Sequence, residues 1–250
     1  MIAVLPVRTP TVPPATHTNC YRVGGTVFDP ASPYPDEQAR LADWLGAGVE
    51  RIVLTHHHGD HVGGVEDLRR RTGAPVWAHR DARVPFEVDH RIEDGEMLDT
   101  GDGAWRCLHT PGHADSHLCF LNEGTGDVIA GDMVAGVGTI VLVPPEGHLA
   151  TYLDSLRRLR ALSRVLHPAH GPALEDAPAA LDHYTAHRHR RTEQVRAALD
   201  AGTPSAMARV IYADVPGVDF SLAAAQVRAH LGWLEERGEV VETDGHWRRS

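Results

Sequence analysis

The sequence predicts an α+β chain in which strands and helices alternate to about residue 173, followed by a smaller, mostly helical unit. Three observations predict it. Short apolar runs, such as Arg51-Ile-Val-Leu-Thr55 and Asp127-Val-Ile-Ala-Gly-Asp132, each lead into a polar loop, as buried strands do. Residues 149–162 carry leucines at helical spacing. Beyond residue 173 the pattern changes to three helical stretches and a terminal hairpin signal.

In order along the chain, residues 19–29 read as a hairpin around Gly24-Gly25, 36–45 as a helix and 51–55 as a buried strand. A helix is expected to start at 62–71. Residues 75–79, 104–110, 117–122 and 127–130 read as further strands, then come the 149–162 helix and a last strand at Val165-Leu-His167. In the tail, 179–200 reads as one long helix ended by Ala201-Gly202, and 205–212 and 221–237 as two more. Leu222, Val227, Leu231 and Leu234 give the last of these an apolar stripe. Residues 239–247 then form a hairpin with an Asp-Gly turn. Three helices closed by a two-stranded wing make a winged helix.

Chemistry concentrates between the 51–55 strand and the helix after it. His56, His58, Asp60 and His61 crowd into Thr55-His-His-His-Gly-Asp-His61. Imidazole and carboxylate are the ligands of catalytic zinc sites. Strand-to-helix loops are also where α/β proteins place their sites. His56 and His58 point one way in an extended chain, whereas Asp60 and His61 lie further round the turn. One loop can therefore serve two neighbouring ions. His57 points away from its neighbours and reads as structural. A histidine-rich affinity tag would be terminal and uninterrupted, and this cluster is neither.

The spacing is the His-X-His-X-Asp-His signature, and the chain resembles the metallo-β-lactamase superfamily. The remaining ligand positions follow in order: His113 in His109-Thr-Pro-Gly-His113, Asp132 after the 127–131 run, and His170 in Pro168-Ala-His-Gly171. The resemblance implies a four-layer αββα fold over residues 1–173, with two sheets face to face, helices outside and the metals at one sheet edge. It implies one Zn2+ held by His56, His58 and His113 and a second by Asp60, His61 and His170, bridged by Asp132. Iron or manganese in one site stays open. The implied chemistry is hydrolysis by a hydroxide shared between ions about 3.5–4 Å apart. Asp60 and Asp132 are the catalytic carboxylates, and His117 lines the cleft or stands behind a ligand.

The ligand set separates the chain from some relatives. The commonest subclass of true β-lactamases has Cys where Asp132 stands. The bridging Asp instead resembles hydroxyacylglutathione hydrolases, other thioesterases and RNA-cleaving members. Where the family commonly has Asp-X-Gly after its first hairpin, this chain has Phe28-Asp-Pro-Ala31. Asp29 is still expected to accept a hydrogen bond from a ligand imidazole.

No apolar run approaches the roughly 18 residues that span a membrane. The start, Met1-Ile-Ala-Val-Leu-Pro6, has no basic lead, so no signal peptide is expected and a cytoplasmic enzyme is. Cys20, Cys107 and Cys119 are odd in number and widely spaced, which does not suggest a disulfide framework, and Cys107 and Cys119 read as core residues. All 24 basic residues are Arg, so no lysine is available for Schiff-base chemistry.

The tail, residues 174–250 with its linking helix, resembles the C-terminal domain of the β-lactamase-like-protein-2 branch. A winged helix invites a nucleic-acid reading, which charge opposes. From residue 183 onward nine Arg meet nine acidic residues, and the rest of the chain holds 15 Arg against 25 acids, net −10. Basic clustering is the expected footprint of phosphate binding. Sequence-specific DNA is therefore not an expected partner. The run of Arg188, Arg190, Arg191 and Arg196 reads as a solvated helix face, with Arg188 and Arg191 also candidates for contact with substrate. The unit is expected to roof the metal cleft or to mediate self-association.

Three functions are weighed: hydrolysis of a small thioester or ester acyl substrate, cleavage of single-stranded RNA, and a winged-helix regulator with a vestigial site. The complete ligand set opposes the third. The acidic surface favours the first over the second.

Overall fold

Strands that are apolar on both faces need cover on both, and four layers supply it. The computed structural model describes residues 1–250. The first half of the fold comprises β1 (Ile2–Arg8), β2 (His17–Val23), β3 (Thr26–Phe28), α1 (Pro35–Leu45), β4 (Arg51–Val53), α2 (Gly59–Val62), α3 (Val65–Thr72), β5 (Val76–His79) and β6 (His90–Ile92). The second comprises β7 (Met97–Asp99), β8 (Ala104–His109), β9 (Leu118–Leu121), β10 (Asp127–Gly131), α4 (Leu149–Arg160) and β11 (Val165–Pro168). The tail is α5 (Ala177–Ala197), a 3-10 turn at Leu199–Ala201, α6 (Pro204–Ile211), α7 (Phe220–Glu236), β12 (Val240–Thr243) and β13 (His246–Arg249).

The first sheet has the order β1-β2-β3-β4-β5-β6 and the second β11-β10-β9-β8-β7. Tyr21, Phe28, Val53, Trp105, Leu118, Phe120 and Ile129 interlock between the sheets. Leu41 and Leu45 of α1 and Val65 and Leu68 of α3 cover the outer face of the first sheet. Leu153, Leu156 and Leu159 of α4 and Leu181 of α5 cover the second. The order is helix, sheet, sheet, helix.

Four sequence expectations need correction. The apolar start, to which the sequence pattern assigns no element, forms edge strand β1, where Pro6 pairs with Asn19 without interrupting an inner ladder. The helix expected from 62 is two pieces, α2 and α3, broken at Gly63-Gly64. A Cβ there would lie 2.7 Å from the Ala31 carbonyl oxygen or 2.6 Å from that of Pro30, so the break lets this backbone press against the turn after Asp29. The long tail helix stops at Ala197, and a 3-10 turn completes it. Short edge strands β6 and β7 have no counterpart among the expected elements.

The tail is a winged helix. Val195, Met207, Val227, Leu231, Leu234 and Val240 share its core. Thr243 pairs with His246, and both residues between them have positive φ, Asp244 at 51° and Gly245 at 78°. Positive φ at both central positions is the type I′ hairpin pattern.

Candidate metal centre

β4 lies inside the first sheet, parallel to both β3 and β5, so the chain leaving it emerges at a fixed point on the sheet edge. Asp29, at the end of β3, fastens that exit. Its Oδ1 accepts from the Thr55 N–H at 2.8 Å, and its Oδ2 accepts from the Thr55 hydroxyl at 2.6 Å and stands 2.8 Å from His61 Nδ1. Asp29 has φ 48°, in the left-handed region that Asp tolerates better than most residues.

The structure brings the seven predicted side chains into two adjoining groups. His58 Nδ1 is 3.1 Å from His56 Nε2 and 3.0 Å from His113 Nε2. Beside them, His170 Nε2 is 3.7 Å from Asp60 Oδ2, and His61 Nε2 is 4.0 Å from Asp60 Oδ1. Asp132 stands between the groups. Its Oδ2 is 3.5 Å from His113 Nε2, and its Oδ1 is 3.6 Å from His61 Nε2 and 3.4 Å from His170 Nε2.

Each of the five imidazoles has an oxygen at its outer nitrogen. His113 Nδ1 meets the Val141 carbonyl at 2.8 Å and His170 Nδ1 the His17 carbonyl at 3.0 Å. His61 Nδ1 meets Asp29, His56 Nδ1 the Thr55 hydroxyl at 3.0 Å, and His58 Nε2 the Glu146 carboxylate at 3.4 Å. With the ring protons on these outer nitrogens, the inner ones point lone pairs at one another. Lone pairs 3.0 Å apart repel unless a cation lies among them. His61 Nε2 and Asp132 Oδ1 are moreover fully buried without a hydrogen-bond partner, a costly condition unless a ligand satisfies them. Three nitrogens on one side and two nitrogens with a carboxylate on the other suit two transition-metal ions.

The electrostatics divide in the same way. Burial, reinforced by the imidazoles of His61, His58, His113 and His117, holds His56 well below the ordinary histidine range. Burial also brings His113 down to about 4, against the pull of Asp132. For His61 burial acts downward too, but Asp132, Asp29 and Asp60 outweigh it and lift the group well above its usual value. Burial raises Asp132, yet His61 and His170 outweigh that and keep it well below the carboxylate range. Burial thus favours the neutral form of His56 and His113, whereas the carboxylates around His61 pull that imidazole the other way.

Other expected residues lie elsewhere. His117 does not line the cleft: it is buried, with Nε2 accepting from the Asp132 N–H at 3.0 Å and Nδ1 2.9 Å from the Thr110 hydroxyl. His57 sits between the Ser116 hydroxyl at 2.7 Å and Glu146 at 3.1 Å. Arg188 is neither solvated nor part of the cleft lining. It is 2% exposed, stacks over the Tyr152 ring and donates to the Ile140 carbonyl at 2.6 Å. Arg191 stacks on Tyr212 and Arg196 pairs with Glu239. Only Arg190 of this run is openly exposed.

The cleft over the metal groups has a volume of about 420 Å³. His58, Asp60, His113, Asp132 and His170 form its floor, and Val12, Val137, Val141, Val143 and Leu222 much of its wall. Leu222 comes from α7 of the winged helix. No Arg lines the cleft, and its third acid is Glu146. A more open hollow of about 640 Å³ shares Ala15 and Val137 with this cleft but holds none of the seven side chains. Sequence reasoning missed Glu146 and Leu222. Leu222 lies on the stripe read as winged-helix core, and its position at the first turn of α7 was the available signal.

Residues 13–206 match the family described as the Metallo-beta-lactamase superfamily, and residues 203–247 the Beta-lactamase associated winged helix domain. The chain is 39% identical over 157 residues to the Lactamase-like protein adaB of Aspergillus niger, which covers 62% of this chain and 48% of that one. It is 31% identical over 194 residues to the Atrochrysone carboxyl ACP thioesterase dmxR1 of Cryptosporiopsis sp., covering 73% and 58%. The chain therefore spans about half the length of these relatives. Among solved structures, a metallo-beta-lactamase family protein from Thermus thermophilus superposes with a TM-score of 0.86 at 25% identity, over 100% of this chain and 98% of that one. A protein solved in a di-iron-bound form superposes with a TM-score of 0.59 at 27% identity, over 71% and 97%.

Proposed function

The chain belongs to the metallo-beta-lactamase superfamily, and from that premise we propose that it is a dinuclear metal-dependent hydrolase of thioesters or esters with an uncharged, apolar acyl group. His56, His58 and His113 would hold one ion, and Asp60, His61 and His170 the other, with Asp132 standing between the two sets. The ions are zinc, with iron the alternative suggested by the relative solved in di-iron form. Zinc in such a site brings the pKa of water down to about 7 and polarises a substrate oxygen. Asp60, which faces the cleft, would accept the hydrogen bond of the attacking water as well as serve the second ion. Val143 and Leu222 offer apolar surface along which the acyl chain would lie.

The observation that carries the acyl reading is the cleft wall of valines and Leu222 without a single Arg. A polyanion needs cations along its path, and Arg188, the one basic residue of the run that is fully buried, is committed to Ile140 and Tyr152. The relative named as an acyl-carrier thioesterase supports the same substrate class. The tail roofs this cleft through Leu222. A regulator with a decayed centre would be expected to lack at least one of the seven ligands, and none is missing.

The deciding experiment is a parallel assay of an acyl-thioester panel and a labelled single-stranded RNA oligonucleotide, with an Asp132→Ala control for contaminating nuclease. We expect metal-dependent release of thiol from neutral acyl thioesters and much slower action on RNA. Cleavage of RNA alone, absent in the control, would replace this reading with an endoribonuclease.

A further inference from the structure

Between β10 and α4 runs an irregular segment, residues 139–147, that touches the metal centre on one side and the tail on the other. On the inner side the Val141 carbonyl accepts from His113 Nδ1 at 2.8 Å, and Glu146 Oε2 lies 3.4 Å from His58 Nε2. Glu146 is itself anchored, its Oε1 standing 3.2 Å from the Asp115 N–H and 3.1 Å from His57 Nε2. Just past the segment, the His148 N–H donates to the Gly112 carbonyl at 2.8 Å, next to His113.

On the outer side the holders belong to the tail. Arg188 on α5 donates to the Ile140 carbonyl at 2.6 Å, and Gln226 on α7 donates to the Leu142 carbonyl at 3.3 Å. Arg188 Nη1 also donates to Gln226 Oε1 at 3.3 Å, so the two act as one clamp on either side of Val141. Glu236 on α7 holds His148 at 2.7 Å. The partners of the second group are different: Asp29 for His61 and the His17 carbonyl for His170.

We propose that residues 140–146 are a strap through which the winged-helix tail positions His58 and His113, with Arg188, Gln226 and Glu146 as positioning residues for the first metal site alone. The proposal rests on the metal reading of this centre. An outer oxygen fixes the ring orientation and the proton position of a ligand imidazole, and removing one typically weakens metal binding by about 10–100-fold. Gln226 touches neither a ligand nor the cleft, so any effect of its loss on metal affinity travels through the strap.

The test uses the full chain, stripped with a chelator and titrated with Zn2+ against a chromophoric competitor. His113→Ala and His170→Ala assign the two binding steps to the two sites. Glu146→Gln and Gln226→Ala should weaken the His113-dependent step by about 10-fold and leave the other unmoved. Their metal-free melting temperatures should match the wild type. In a His113→Ala background, Gln226→Ala should change nothing further. Arg196→Ala, also on α5 but paired with Glu239, serves as the control and should leave both steps intact. Two wild-type steps that the variants leave within twofold, or weaken equally, overturn the strap alone. A wild-type chain that takes up no zinc overturns the metal reading, and the strap with it.

Discussion

The backbone N–H of Asp132 donates to Nε2 of His117 at 3.0 Å, so the carboxylate between the two metal groups is aimed by an imidazole with no surface of its own. The Thr110 hydroxyl lies 2.9 Å from the other ring nitrogen, and Thr110 donates in turn to Cys119 Sγ at 3.2 Å. Gly131 makes room for the contact, since a Cβ there would lie 2.6 Å from His117 Nε2.

Asp132→Ala removes the carboxylate that stands between both metal sets, while the backbone contact to His117 survives. Turnover should fall by about 100-fold or more and the second ion should loosen. Circular dichroism should stay near wild type. A variant that keeps most of its rate would rule out the bridging role.

Protein purified without chelator should carry close to two metal equivalents, chiefly zinc, because the donors form two complete sets. Elemental analysis measures this. A content below one, not raised by added zinc, would remove the dinuclear mechanism.

Leu222→Asp places a charge in the apolar wall that α7 contributes. For long acyl substrates KM should rise about 10-fold with kcat little changed, and short acyl substrates should be less affected. Equal effects on both would show that Leu222 does not contact the acyl chain.

His230 on α7 is fully buried beside the Thr192 hydroxyl at 2.8 Å. Burial, with Arg188 and Arg191 adding to it, pushes its pKa down to about 3. The folded ring stays neutral while the unfolded one takes a proton near pH 6.5, so its contribution to stability is full above 6.5 and is lost as pH falls towards about 3. His230→Gln keeps a partner for Thr192 without titrating. Its melting temperature should fall less than that of wild type between pH 7 and 5, a difference on the order of 2 kcal/mol. Parallel curves would contradict this.

A chain ending at residue 173 should be poorly soluble. Tyr152, Leu156 and Leu159 are all 0% exposed in a cluster that Leu181 and Ala229 complete. Each such side chain contributes about 1.5–3 kcal/mol by burial, together comparable with a typical domain stability of about 5–15 kcal/mol. A truncated protein that expresses well and turns over small substrates normally would show the tail to be an independent unit.

The seven candidate ligands were legible because each sits where a strand ends, and strand, loop and residue type are all local. Their outer partners were not. The carbonyls of Val141 and His17 belong to the backbone, and a carbonyl has no residue identity for a sequence pattern to display. Arg188 reads as part of a solvated basic face because its neighbours in sequence are basic. Its phase says otherwise: Leu181, Arg188, Thr192 and Val195 fall on one buried stripe of α5. Strands β6 and β7 escape because three-residue edge strands with polar residues show no periodicity. The break at Gly63-Gly64 answers to the distant turn at 30–33, which no local signal announces.

Ala229, on the winged helix, belongs to the same apolar cluster as Leu108 and Tyr152, with Trp233 packed against its edge. The tail is therefore no interchangeable cassette. A chimaera that grafts another relative's winged helix onto this scaffold must match that seam in shape, or the graft will cost the recipient part of its own interior.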